Sequence, residues 1–118
     1  MGKSLSKHRS KAHELQGGRC IYCGVVMWTV DCAAFANRHG LTVRLARRLQ
    51  CTAEHLQARQ DGGRDSSKNI AAACLACNLR RHARRRTTFT PEEYRAFVRS
   101  RVSRKAWHPM PVFERGLI

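Results

Sequence analysis

The sequence contains no apolar run approaching the ~20 residues that a membrane-spanning helix needs. Its basic start is not followed by the apolar segment that a secretory leader requires. Residues Met1 to Ser6 formally match an N-myristoylation pattern, but one so short is easily met by chance. There is no internal repeat and no low-complexity tract; the nearest approach is the arginine cluster at 80–86. Above all the chain lacks acid. Asp and Glu total 8 against 23 Lys and Arg, a net charge of +15. That is the footprint of a polyanion binder. Nucleic acid is the expected partner, with an acidic membrane surface as runner-up. Arginine outnumbers lysine, which suits bidentate contacts to phosphate. With no span and no leader in view, the expected location is the cytoplasm, where thiols stay reduced. The six cysteines are therefore read for metal before disulfides.

At 118 residues the chain is expected to be one domain, with a core small enough to profit from a structural metal. Residues 1–16 form a basic N-terminal helix, helical over 3–16 and ended by Gly17-Gly18. Its exposed Lys3, Lys7, Arg9 and Lys11 serve either solubility or contact with phosphate. Arg19 to Gly24 reads as a knuckle, in which a tight turn points Cys20 and Cys23 at one ion. Val25 to Val30 is β-rich. Residues 31–49 predict one or two short helices broken at Gly40. Phe35, Leu41, Val43, Leu45, Ala46 and Leu49 lie on their dry side and Arg38, Arg44, Arg47 and Arg48 on the wet side. This insert is either a DNA-facing element or a strut.

A strand over 49–56, a turn-rich loop over 57–68, a second strand over 69–74 and a helix over 75–86 follow. Thr90-Pro91-Glu92-Glu93 predicts a capping box at the start of a C-terminal helix, 90–106. Its apolar stripe of Tyr94, Phe97, Val98 and Val102 is read as core packing. The tail, 107–118, has no clear period and either drapes over the domain or moves freely.

Two constellations carry chemistry. Cys20, Cys23, Cys74 and Cys77 make two Cys-x-x-Cys pairs, the donor set of a closed structural zinc site. Cys32 and Cys51 sit in no such pair and read as small hydrophobes. The second set is Glu54, Asn78 and His82, an open site for a divalent ion, with His55 left unligated as a general base. Asn78 and His82 share a helix face at i, i+4. Glu54 and His55 are strand neighbours, whose side chains point to opposite faces. They can serve one phosphate only if the strand ends, twists or bulges there. Each residue also has a plain structural reading: Glu54 as an arginine's partner, His55 as a strand cap, Asn69 as a turn residue, His82 as an exposed helix residue. Together, in this order, they favour a site.

The run Glu54-His55, Gly62-Gly63, Asn69-Ile70, Cys74-x-x-Cys77-Asn78 and Arg81 resembles the HNH endonucleases, the ββα-metal or His-Me finger nucleases. The resemblance covers about residues 17–88 and implies a small zinc-stabilised α+β fold, a ββα-metal core with flanking helices. It implies that His55 activates water, that Asn69 braces the loop through backbone hydrogen bonds, and that Glu54, Asn78 and His82 hold magnesium or another divalent cation. It implies structural zinc on the four cysteines and cleavage of DNA to 5′-phosphate and 3′-hydroxyl ends. Arg80, Arg81, Arg84 and Arg85 are expected to hold flanking phosphates. Glu54 stands where the family has Asp or His, and the region Leu56-Gln57-Ala58 lacks the proline often found after the first His. The rival reading is a non-catalytic zinc module that binds nucleic acid, or an assembly partner of a larger DNA-processing machine. A homodimer, or a phage or mobile-element protein as partner, fits either. A bacterial or phage origin is expected.

Overall fold

A computed structural model describes residues 3–83 and 89–118. Arg84 and Arg85 lie outside the described residues, as do Met1 and Gly2 of the acylation pattern. The elements in order are α1 (Lys3–Leu15), α2 (Cys32–His39), α3 (Val43–Arg47), β1 (Cys51–His55), β2 (Ile70–Cys74), α4 (Leu75–Ala83), α5 (Pro91–Ser103) and α6 (Met110–Glu114). A single 3-10 turn, Arg59–Asp61, lies in the loop between the strands. The class is α+β. No described helix is long and apolar enough to cross a membrane.

β1 and β2 pair antiparallel, with Glu54 opposite Ala71 and His55 opposite Ile70. β2 is wholly buried and runs straight into α4, so its Ile-Ala-Ala-Ala-Cys sequence does not alternate. The outer edge of β2 is met by the knuckle, through Ile21 N–H to Ala72 O, and by the Gln16 side chain. The Gln16 amide donates to Ala72 O and accepts from Ala72 N, at 2.9 and 3.0 Å. It thereby satisfies an edge that would otherwise be open to pairing.

The insert acts as a strut at its C-terminal end. Leu45, Ala46 and Leu49 are buried. Arg48 O and Gln50 O accept the first N–H groups of α4, from Ala76 and Leu75. Those are helix-terminal donors with no partner inside the helix. Gly40 caps α2 at φ 66°, where the break was expected. Exposed Arg38, Arg44 and Arg47 leave the outer face basic.

The stretch 25–30 makes only isolated bridges, Arg19 to Val26 and Trp28 to Gln50. Its amides are shared among three segments: Val26 N bonds Leu117 O, Met27 N bonds Gly18 O and Trp28 N bonds Leu49 O. No single neighbour runs alongside long enough to make a ladder. The capping box at Thr90 and Glu93 forms as expected. The α5 stripe buries Tyr94 and Val98 fully and packs Phe97 and Val102 beside the core. The tail is ordered against the fold. Val112 and Leu117 are buried, and so is His108.

Candidate functional site

The two Cys-x-x-Cys pairs converge. The sulfurs of Cys20, Cys23, Cys74 and Cys77 all lie within 4.8 Å of one another, and all four residues are buried. Zinc–thiolate bonds of about 2.3 Å in a tetrahedron set sulfurs about 3.8 Å apart, and Cys23 and Cys74 Sγ are 3.8 Å apart. The cluster could therefore hold a metal ion. The knuckle turns at Gly24, whose φ of 83° suits glycine, and its N–H bonds Cys20 O. The second pair rides on the β2–α4 junction.

Packed this tightly, Cys20 is pushed one way and Cys74 and Cys77 the other. Burial pushes the Cys20 thiol up, but hydrogen bonds from Cys23, Cys74 and Cys77 and from the Cys74 backbone outweigh it and hold Cys20 well below its ordinary value. The contact with Cys20 pushes Cys74 up, and burial does the same for Cys77. Two further donors come from the tail. Trp107 Nε1–H donates to Cys77 Sγ at 3.2 Å, and His108 Nε2 lies 3.2 Å from Cys23 Sγ. Burial lowers His108 to about 4, so its ring is neutral near pH 7. Neither residue stood out in the sequence; a tail without a period offers no cue to what it covers. Cys51 is buried and Cys32 half-buried, and both lie apart from the cluster.

A cleft of about 440 Å³ opens at the far end of β1, lined by Glu54, His55, Arg59, Asn78 and His82, with Leu5 of α1 at its rim. The strand ends at His55, which lets neighbouring residues of opposite facing border one cavity. Glu54 is only 1% exposed. Its Oε1 lies 2.9 Å from His82 Nε2, while its Oε2 accepts from Tyr22 OH and Arg81 Nη1, both at 2.8 Å. A buried carboxylate left unpaired would cost several kcal/mol; Arg81 balances it.

Asn78 Nδ2 donates to Thr52 Oγ1 and to Ala53 O, at 3.0 and 3.2 Å. A carbonyl only accepts, so the amide orientation is fixed and Oδ1 is the atom left to act as a ligand. His55 Nε2 lies 2.7 Å from Asp65 Oδ1. Arg59 Nε is also 3.3 Å from that nitrogen, and the two contacts ask opposite things of it. The shorter one prevails, because Arg59 is already paired with both Asp65 oxygens. His55 then carries its proton on Nε2, and Nδ1 keeps the lone pair.

Asn69 stands outside the cleft and ties the loop. Its Nδ2 donates to Gln57 O and Arg64 O, and its Oδ1 accepts from Gln57 N. The two glycines have separate reasons. Gly62, at φ 90°, ends the 3-10 turn, and Gly63 passes so close to Gln57 that a Cβ would sit 1.8 Å from its carbonyl oxygen.

Two expected phosphate contacts are turned inward. Arg81 donates to Glu54 and to the carbonyls of His55, Leu56 and Phe89, and its side chain is 13% exposed. Arg80 lies 4.5 Å over the Trp107 ring and donates to Trp107 O. For Arg81 the reason is local: the buried carboxylate and the strand-end carbonyls need donors, and α4 supplies one; Arg80 is held by the tail. Arg59, at the cleft, was not among the expected contacts, nor was Asp65, read only as turn chemistry.

The strand pair, the loop held by Asn69 and the helix bearing Asn78 form one ββα unit with the cleft at its mouth. Residues 38–84 match the HNH endonuclease family. No curated protein and no solved structure matches the chain. The HNH match spans the end of α2, all of α3, both strands and α4, and so contains Glu54, His55, Asn69, Asn78 and His82. It leaves the first Cys pair and the C-terminal helices outside. An HNH domain carries nuclease or otherwise nucleic-acid-related function, and HNH nucleases use divalent metals.

Proposed function

We propose that this chain is a divalent-metal-dependent DNA endonuclease that hydrolyses phosphodiester bonds, with His55 as general base. The observation that carries the reading is the convergence of Glu54, His55, Asn78 and His82 on one cleft beneath a loop held by Asn69. The donor set fits a small divalent cation. Glu54 Oε1 and His82 Nε2 are 2.9 Å apart, close to the ~3 Å between neighbouring ligands at octahedral bond lengths of about 2.1 Å. Asn78 Oδ1 adds a neutral oxygen. When bound, such an ion would supply electrostatic stabilisation to the charge that builds on the phosphate and the leaving 3′ oxygen.

The chain's own residues do the rest. Asp65 accepts the Nε2 proton of His55 and holds the ring in one tautomer. Nδ1 takes a proton from water, whose oxygen bonds to phosphorus in line with the leaving 3′ oxygen; the P–O3′ bond breaks and that oxygen takes a proton from solvent, which gives 5′-phosphate and 3′-hydroxyl ends. Asn69 keeps the loop that carries Arg59 and Asp65 in place. Arg59, with its side chain 62% exposed at the cleft, is suited to a flanking phosphate. Arg84 and Arg85 remain assigned to that role from the sequence. Each chain offers one such site, so it nicks one strand; double-strand cleavage needs a homodimer or two events. Zinc is the ion we assign to the four cysteines, because four thiolates in a closed tetrahedron favour it.

Plasmid nicking tests the reading, with EDTA, with added magnesium, manganese or nickel, and with His55→Ala alongside. Metal-dependent cutting by the parent and none by the variant is expected, with DNA binding and zinc content unchanged. If neither cuts while both bind DNA, the chain is a zinc-containing binding module instead.

A further inference from the structure

One of the two residues between the first two cysteines, Tyr22, reaches the cleft carboxylate. Tyr22, 1% exposed, has its backbone in the knuckle, where its N–H lies 3.4 Å from Cys20 Sγ. Its hydroxyl is 2.8 Å from Glu54 Oε2. The Arg81 guanidinium lies 5.8 Å from the Tyr22 ring centroid and donates to the same oxygen. The ring is wedged edge-on against Tyr94, centroids 4.8 Å apart. A carboxylate on a free side chain can turn either oxygen outward. Here Oε2 holds two donors on the inner side, and only Oε1 meets His82.

We propose that Tyr22 is a positioning residue for the cation site of the cleft. It clamps Glu54 from within the four-cysteine knuckle, so that Oε1 alone faces the incoming ion. The clamp ties the two metal sites together mechanically. The cysteine cluster fixes the knuckle, the knuckle fixes Tyr22, and Tyr22 fixes the cleft carboxylate. The side chain entropy that an ion would otherwise have to remove is already lost in the folded chain. The inference rests on the nuclease reading of Glu54, and its test separates the two.

The test is Mn²⁺ titration of zinc-loaded full-length protein, followed by electron paramagnetic resonance, for the parent, Tyr22→Phe and Glu54→Gln. Phe keeps the ring contacts with Tyr94 and Arg81 and removes only the hydroxyl, so the fold should persist. Outer-shell hydrogen bonds of this kind are worth about tenfold or more in metal affinity. Tyr22→Phe should therefore bind Mn²⁺ about tenfold more weakly, with one equivalent of zinc retained and the melting curve little moved. Equal Mn²⁺ affinity in parent and Tyr22→Phe, alongside weakened binding by Glu54→Gln, would overturn the clamp and leave the nuclease reading standing. Equal affinity in the parent and Glu54→Gln would place the ion elsewhere and remove both. Loss of zinc from Tyr22→Phe would make the hydroxyl a support of the knuckle and overturn the positioning role.

Discussion

At the scale of single residues, the cleft works by division of labour between neighbours. Glu54 and His55 are adjacent in sequence, yet one is buried against Tyr22 and Arg81 and the other faces the loop carboxylate Asp65. On the nuclease reading, Asp65→Asn should lower kcat with little change in DNA affinity. The loss should be up to about a hundredfold, part of the ~10²–10⁴ that a positioned base supplies, and single-turnover nicking measures it. The His55 hydrogen bond first, and Arg59 second, hold the Asp65 carboxyl below its ordinary 3.8. A depressed acid contributes stability above its unfolded value and loses it as pH falls through the lower folded value. The His55–Asp65 contact should therefore persist down to pH 4. Carboxyl-carbon NMR checks it, and a midpoint at or above 3.8 would contradict the pairing. The roles proposed for Glu54, His55 and Asn78 are ones a sequence reader can reach, because residue type, order and spacing carry the proposal. Those of Tyr22 and Asp65 are not, since each acts on a residue distant in the chain and each has an ordinary local explanation.

At the scale of elements, the loop between the strands is the most constrained piece. Asn69 ties its two ends with three hydrogen bonds, and Gly63 passes against Gln57 with no room for a side chain. Gly63→Ala must push backbone from backbone, and a clash of this kind costs at least about 2 kcal/mol. Chemical denaturation should show that loss, and cleavage should fall with it; a stability within about 0.5 kcal/mol of the parent would contradict the packing. The strands, the break at Gly40 and the capping box at Thr90 were legible because local turn and cap chemistry dictates them. The stretch 25–30 was read as β-rich and became bridges instead, because propensity says nothing of how many segments arrive to share its amides.

At the scale of the whole molecule, the four cysteines join parts of the chain that are far apart in sequence. The knuckle, the β2–α4 junction and the C-terminal tail all end on these sulfurs. On the zinc reading of the cluster, Cys74→Ser should therefore release zinc and lower the melting temperature or abolish the cooperative transition, because metal binding to such a site is itself folding free energy. Unchanged metal content and an unchanged melting curve would refute it. The net charge of +15 acts at the same scale. DNA affinity should fall steeply as salt rises, since arginine contacts release counterions from phosphate. Fluorescence anisotropy across salt concentrations measures the slope, and a flat response would argue against phosphate-dominated binding. With Arg80 and Arg81 turned inward, the nuclease reading draws its phosphate contacts from Arg59, from the exposed arginines of the insert and α5, and from Arg84 and Arg85.

The sequence by itself determined which residues are candidates for chemistry. The paired cysteines, the Glu-His pair, the double glycine and the two asparagines are chemical types at fixed intervals, and spacing along a strand or helix turns intervals into faces. Tertiary structure alone decided which arginines meet solvent, which oxygen of Glu54 looks outward, and what covers the cysteine cluster. Those depend on contacts between residues far apart in the chain: Tyr22 with Glu54, Arg81 with the strand-end carbonyls, Trp107 and His108 with the thiols. Burial sets such partnerships, and a local pattern does not encode where a distant segment will lie.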